Sequence, residues 1–401
     1  TPSSEKIQVV GEVNHYTVEV PQSFAGKRAL LRIALSNAAP ASPVRLVYLL
    51  ENTDGSAVLA SRGPAKGSGA QSIAGTFLVP GPGTYQLLVR DATNQNKDSN
   101  NPYTLSATVL EDPDTAEPDD TPPQARVNQP AAPNAATPEA KSGEIASQGD
   151  LDLLQFELTQ DGLVHWTVTM AQPTTQLQLR ARILKRSTSA PDDVGQATPV
   201  AEVDATKAGD ALNSDLVRFL AAGKYLVALD DKAGTESDSA TTWTTALQLV
   251  ADPDPNEQTS RNDTAATATT LGVGQSKQGA IGSQGDADWY EIALPTVTTP
   301  KIVQLTIDPG GAANDVELDW AVGDVLATPA GACDVSCGPV AFCTASNLCG
   351  YAMHALHHFT KGEHAVQSVR LRHMGAARTM RMVVTDQGGD ERSNGLYTVS
   401  A

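Results

Sequence analysis

Apolar side chains recur at every second position in short stretches of this chain, the pattern of strands that turn one face to a core. One such stretch opens from a turn, Gly285-Asp286-Ala287-Asp288-Trp289-Tyr290-Glu291-Ile292-Ala293-Leu294. It matches Gly149-Asp150-Leu151-Asp152-Leu153-Leu154-Gln155-Phe156-Glu157-Leu158 and, more loosely, Gly11-Glu12-Val13-Asn14-His15-Tyr16-Thr17-Val18-Glu19-Val20. The glycines lie 149 − 11 = 138 and 285 − 149 = 136 positions apart, a fixed period that marks an internal repeat. A second marker closes each copy: Tyr85 to Asp91, Tyr225 to Asp231 and Met380 to Asp386. A polar loop follows each, and a last strand is predicted near Tyr103, Trp243 and Tyr397.

The closing aspartates are 231 − 91 = 140 and 386 − 231 = 155 positions apart, so the third copy carries an insertion of about fifteen residues where a loop tolerates growth. The junctions repeat too, since Val109-Leu110-Glu111-Asp112-Pro113-Asp114 returns as Leu249-Val250-Ala251-Asp252-Pro253-Asp254. Residues 113–141, rich in Pro, Ala and acid, and residues 253–270, rich in Asp, Asn, Thr and Ala, read as linkers or approaches to a domain. The predicted organisation is all-β: three tandem antiparallel β-sandwich units over 1–112, 113–252 and 253–401, the last with a cysteine-containing insertion.

Particular residues in this frame carry a likeness. The second copy has Glu117-Pro118-Asp119-Asp120-Thr121, then Gly149-Asp150-Leu151-Asp152, then Gly223-Lys224-Tyr225-Leu226-Val227. The third has Arg261-Asn262-Asp263-Thr264-Ala265 and Gly285-Asp286-Ala287-Asp288-Trp289-Tyr290. The set resembles the bacterial pre-peptidase C-terminal domain family, which opens on an E-P-N-D-T-like segment, continues with a G-D-x-D strand and closes with G-x-Y-x-[LV]. The first copy lacks the opening segment and has Glu12 and Asn14 where the others have two aspartates. The resemblance implies a small jelly-roll-like sandwich, appended to exported hydrolases or carried on surface proteins, with no catalysis of its own. Related collagen-binding domains of clostridial collagenases bind calcium near the opening linker. On that resemblance the candidate ligands are Asp112, Asp114, Asp119 and Asp120, with Asp252, Asp254, Asn262 and Asp263 at the second junction. The cation takes six to eight oxygens, which Asp- and Asn-dense turns can supply. The competing reading is that these are solvated linker acids and Asx turns.

Composition narrows the partners. With 28 basic against 46 acidic residues the net charge is −18, and the basic residues are scattered, so nucleic acid, which needs a basic patch, is excluded as a partner. No apolar run approaches the ~18 residues of a membrane span. The chain starts at Thr1 with neither an initiator Met nor a signal segment, as a processed or trimmed product would. Cys333, Cys337, Cys343 and Cys349 fall in one stretch and read as two disulfides made in an oxidising compartment. Their connectivity is open, with a metal site as the alternative.

Catalytic signatures are missing from the sequence. Gly274-Gln275-Ser276-Lys277-Gln278-Gly279 is one residue too long for a nucleophile elbow. His354, His357, His358 and His364 cluster without the H-E-x-x-H register of a zincin. In Met353-His354-Ala355-Leu356-His357-His358-Phe359 the alternating set fits a strand with His354 and His358 on its other face. Aromatic residues are only 4% of the chain, and Trp166, Trp243 and Trp320 all fall in alternating strands, so no sugar-binding aromatic patch can be named. The expectation is a non-catalytic secreted or cell-surface structural or adhesive protein. Its partners would be a protein, a surface polysaccharide or further copies of itself. The alternatives are an accessory region of a secreted hydrolase and a metal-dependent enzyme built on the His and Cys cluster.

Overall fold

The computed structural model describes residues 3–37, 42–63, 71–133, 135, 137–257, 261–311, 316–332, 348–393 and 395–401. The expected disulfides lie outside the described residues, as do Cys333, Cys337, Cys343 and the side chains of Cys349 and His354.

The protein is all-β. Its strands form six sheets, two around each of three separate hydrophobic cores. In the first unit Ser3–Ile7, Asp98–Glu111, Ala29–Asn37 and Gln71–Val79 lie side by side in that order. The facing sheet runs Val13–Val20, Gly83–Asp91, Leu46–Glu51 and Val58–Arg62. The same order recurs in the second unit as Ala140–Ile145, Asp238–Val250, Gly162–Met170, Leu212–Leu220 over Leu151–Leu158, Gly223–Asp231, Leu179–Lys185, Thr198–Asp204. It recurs again in the third as Ser276–Gly279, Tyr397–Ser400, Val297–Asp308, Gln367–Gly375 over Ala287–Leu294, Arg378–Asp386, Leu318–Ala332, Leu348–His358. All these pairings are antiparallel.

Two short strand pairings, and the isolated bridge of Ala131 to Gln248, depart from the antiparallel rule. Arg126–Val127 runs parallel to Leu151–Leu158, and Thr269–Thr270 parallel to Ala287–Leu294. Both belong to the approach segments, which thereby become the fifth strand of one sheet of the unit they lead into.

The inward half of each alternating strand makes the core. Leu46, Tyr48 and Leu50 fill it in the first unit, Phe156, Trp166 and Tyr225 in the second, Tyr290, Trp320 and Tyr397 in the third. Trp166, Trp243 and Trp320 are all fully buried. His357 stacks on Trp320, centroids 4.9 Å apart, and His358 faces outward to Asp319 at 2.8 Å.

The closing aspartates are structural. Asp91 Oδ2 accepts the backbone N–H groups of Gln95 and Asn96, Asp231 Oδ2 those of Thr235 and Glu236, and Asp386 Oδ2 those of Asp390 and Glu391. Each latches its polar loop. The third loop residue is left-handed in every copy: Asn94 at φ 57°, Gly234 at 65° and Gly389 at 69°.

Candidate functional site

Most of the acids at the two junctions do one of two jobs. Asp112 Oδ1 accepts the Asp114 N–H at 3.0 Å, and Asp252 Oδ1 accepts that of Asp254 at 3.0 Å, both as Asx turns. Asp114 then ties the linker to the first strand of its unit through Ala116 N at 2.7 Å and Glu144 N at 2.8 Å. Asp254 does the same through Asn256 N and Ala280 N. Asp114 and Asp254 are clasps, with both oxygens engaged by the main chain.

The remaining acids gather in a cluster in each of the second and third units. In the second, ligand-capable oxygens of Glu117, Asp119 and Asp152, and of Glu117, Asp120 and Asp150, lie within 4.8 Å of one another. In the third, Glu257, Asp286 and Asp288 do so. The G-D-x-D turn delivers one half of each cluster. Gly149 and Gly285, at φ 75° and 77°, close a turn in which Asp150 N bonds Ser147 O at 3.3 Å and Asp286 N bonds Ser283 O at 3.2 Å. The first aspartate of each turn accepts backbone N–H groups, Ala146 for Asp150 and Gly282 for Asp286. The opening segment supplies the other half and is held by the main chain, Leu153 N to Asp119 O at 3.2 Å and Trp289 N to Asn262 O at 2.9 Å. Asp119 and Asn262 therefore occupy matching places.

Burial sets the electrostatics. Loss of water, reinforced by the charges of Asp150 and Asp120, pushes Glu117 up to about 8. Burial with the Asp286 charge pushes Glu257 up to about 10. Asp150 rises to about 6 and Asp286 to about 7, burial again leading. Asp152 and Asp288 are raised well above the carboxylate range, by burial first and then by neighbouring aspartates.

Arginines relieve part of this. Arg28, which precedes a strand of the first unit, reaches Asp112 at 3.0 Å, Glu117 at 2.9 Å and Asp120 at 3.1 Å. Arg126 pairs with Asp119 at 2.7 Å. In the third unit Arg261 alone reaches Asp252 at 3.2 Å, Glu257 at 2.9 Å, Asp263 at 2.6 Å and Asp286 at 2.9 Å. Counting Asp112, Asp114, Glu117, Asp119, Asp120, Glu144, Asp150 and Asp152 against Arg28 and Arg126 leaves 8 − 2 = 6 formal negative charges. Asp252, Asp254, Glu257, Asp263, Asp286 and Asp288 against Arg261 leave 6 − 1 = 5.

Carboxylate oxygens also remain unused. Asp119, Asp150 and Asp152 each bury an Oδ1 without a hydrogen-bond partner, as do Asp263, Asp288 and the amide oxygen of Asn262. Their other oxygens are fixed by protein donors, Asp152 by the Trp243 indole and Asp288 by the Tyr397 hydroxyl. A dense set of hard, anionic oxygens, several of them orphaned and buried, fits a divalent cation such as calcium.

Sequence reasoning pointed to Asp119, Asp120, Asn262 and Asp263, and the structure brings these together with acids it had passed over. Asp150, Asp152, Asp286 and Asp288 were visible as repeat markers, and their recurrence in pairs on one turn was the signal; Glu117 was visible in the opening segment, and Glu257 carried no signal.

The first unit keeps only the structural half of the motif. Glu12 caps the N–H groups of Gln8 and Val9 in the place of Asp150. Asn14, in the place of Asp152, donates to Lys6 O at 3.0 Å and to the Tyr103 hydroxyl at 2.7 Å. Among the described residues no third acid cluster forms there.

Neither a family model nor a curated protein matches the chain. Among solved structures it is similar to the pre-peptidase C-terminal domain of collagenase from Bacillus anthracis, with 11% identity over 31% of this chain and 96% of that one, TM-score 0.20. It is also similar to the PBSX exported protein XepA, at 12% identity over 61% of this chain and 86% of that one, TM-score 0.21. A third is the N-terminal CBM22-1-CBM22-2 tandem domain of Paenibacillus barcinonensis Xyn10C, at 11% identity over 56% and 79%, TM-score 0.21. At such TM-scores these likenesses carry no statement about function. Among the described residues no helix is long and apolar enough to cross a membrane.

Proposed function

We propose that this is a non-catalytic, exported structural protein whose tandem sandwiches are fixed to one another at acidic junctions that take up calcium. The observation that carries the reading is the repetition of the cluster. Two junctions with divergent surroundings each bury acid oxygens without a hydrogen-bond partner, those of Asp152 and Asp288 at the same place, and each holds more acids than arginines. Glu117, Asp119, Asp120, Asp150 and Asp152 would hold the ion at one junction; Glu257, Asn262, Asp263, Asp286 and Asp288 would hold it at the other. Bound there, calcium would neutralise charge that otherwise drives the linker away from its unit. The acid surplus and the cysteine-rich stretch are in keeping with an extracellular setting.

Binding only to the folded form stabilises it by RT ln(1 + [L]/Kd), about 2.7 kcal/mol at a hundredfold excess over Kd. Millimolar calcium is expected to raise the melting temperature over that in excess chelator, and Asp120→Ala or Asp263→Ala to blunt the rise at its own junction. Superimposable melting curves with calcium and with chelator would sink the reading and leave the clusters as arginine-neutralised structural elements.

A further inference from the structure

The same turn that builds each cluster also joins each unit to the one before it. Gln148, in the turn Ser147-Gln148-Gly149-Asp150, donates its backbone N–H to Thr76 O at 2.8 Å. Gln284, in the turn Ser283-Gln284-Gly285-Asp286, donates its own to Val217 O at 3.2 Å. Thr76 and Val217 lie on Gln71–Val79 and Leu212–Leu220, the edge strands of the four-stranded sheets of units one and two.

The two acceptors occupy one register position. Two residues beyond Tyr103, Trp243 and Tyr397 stand Leu105, Thr245 and Val399, which pair with Leu35, Val168 and Ile307. Three residues before those stand Arg32, His165 and Gln304, and they pair with Thr76, Val217 and Arg370. Arg370 is therefore the third unit's counterpart of Thr76 and Val217. It lies on Gln367–Gly375, again the edge of a four-stranded sheet, and among the described residues nothing pairs with the outer side of that strand. Its register turns the Arg370 carbonyl to the open edge.

The complementary turn is already built in the first unit. Val9-Val10-Gly11-Glu12 has the Glu12 N to Val9 O bond at 3.3 Å and Gly11 at φ 80°, matching the turns at Gly149 and Gly285. Val10 takes the place of Gln148 and Gln284. Val9 and Val10 are 58% and 57% exposed, two adjacent valines held out into water. The missing carboxamide is no obstacle at this position, because at the first junction the Gln148 side chain turns to Thr235 O of its own unit and only the main chain reaches Thr76. Charge on the receiving strand is no obstacle either: Arg218, on the edge strand of unit two, is part of the second junction through the Gln284 carbonyl.

We infer that this chain associates head to tail with further copies of itself, the Val9–Glu12 turn of one copy docking on the Gln367–Gly375 edge strand of the next by the contact that joins its own units. The interface is heterologous, so it generates open chains of molecules rather than a closed dimer. It goes beyond the calcium reading and does not require it.

Sedimentation velocity from about 1 μM to about 1 mM covers the effective concentration that a short linker gives tethered neighbours. The weight-average mass is expected to rise from the 41.9 kDa of one chain to more than twice that, without a plateau at the dimer. Val10→Pro removes the one donor while keeping the turn, because a Gly11 φ of 80° makes it type II, where proline is favoured at the second position. This variant alone should remain at 41.9 kDa with an unchanged melting temperature. Added in excess to the wild type it should shorten the assemblies, since its edge strand still accepts a partner while its turn cannot dock. Val58→Ser, at an exposed valine away from both surfaces, should associate as the wild type does. A mass of one chain at every concentration, assembly that stops at a dimer, or Val10→Pro associating normally would each overturn the inference. Running both proteins with calcium and with chelator keeps the two readings apart. A calcium-dependent melting shift in a strictly monomeric protein refutes this one alone, and assembly without any such shift refutes only the other.

Discussion

The two acidic junctions share a plan and differ in where the positive charge comes from. At the first, Arg28 reaches across from the preceding unit, and Arg126 neutralises Asp119. At the second, Arg261 comes from the approach segment itself and lies over the Phe219 ring of the preceding unit at 4.3 Å. The pair Asp119 and Arg126 has no charged counterpart there. Asn262 stands in the place of Asp119, and Thr269, which pairs with Tyr290 as Arg126 pairs with Leu154, in the place of the arginine. One acid and one base have gone together. The individual partners can change; the surplus of acid, the orphaned oxygen of Asp152 or Asp288 and the turn do not. The first junction spends its arginine on coupling two units, whereas the second uses it chiefly to hold its own segment in place.

The largest effect should come from removing the arginine that serves four carboxylates. Arg261→Ala strands Glu257 and Asp286 in a buried site, at a cost of about 3–5 kcal/mol. Thermal unfolding of the variant in chelator should show the third unit melting first, and calcium should recover part of the loss. A variant as stable as the wild type would break the comparison. Arg28→Ala should cost less, about 2 kcal/mol, because the side chain is 21% exposed and water screens its pairs. Its signature is positional: limited proteolysis should cut the 112–120 segment sooner, with the segment at 252–263 unchanged. Equal acceleration at both would mean that the charge is shared and not local.

The gentlest expected effect is a slope. Glu117 at about 8, Asp286 at about 7 and Asp150 at about 6 keep protons in the folded state that the unfolded chain gives up near its ordinary carboxylate values. The folded form then binds more protons than the unfolded one, so stability falls as pH rises from about 5 to about 8. Melting temperature in chelator should decline over that window, and calcium should flatten the decline by replacing the protons. A melting temperature that climbs over the same window would contradict the burial of these acids.

The period-two pattern made the all-β class legible, since a strand with one wet face has no other way to write itself. The acids at the junctions were legible as a population, but not by role. Nothing in the residue type separates Asp114, which clasps a main chain, from Asp119, which is buried beside Arg126; only the partners do. Arg28 was out of reach for a physical reason: 89 positions separate it from Glu117, and only packing one unit against the next brings them together. Asp152 and Asp288 read as strand-opening markers because they close a Gly-Asp-x-Asp turn, and burial of a carboxylate leaves no trace in a single sequence.

The latched loops carry a consequence for how such a protein changes over generations. One aspartate oxygen fixes the chain on both sides of residues 92–94, 232–234 and 387–389, and a left-handed third residue bends it, joined in the last copy by Gly388 at φ 97°. The first residue of each loop also donates its main-chain N–H to a neighbouring segment, Ala92 to Arg45 O, Lys232 to Gln178 O and Gln387 to Glu317 O, which asks nothing of its side chain. The three copies already hold three unrelated texts there, Ala92-Thr93-Asn94-Gln95, Lys232-Ala233-Gly234-Thr235 and Gln387-Gly388-Gly389-Asp390, on one frame. Variation in these loops is thus nearly invisible to folding provided the aspartate stays and the third residue remains Gly or Asn. New surface chemistry can be tried there one unit at a time, while the neighbouring copies preserve the old.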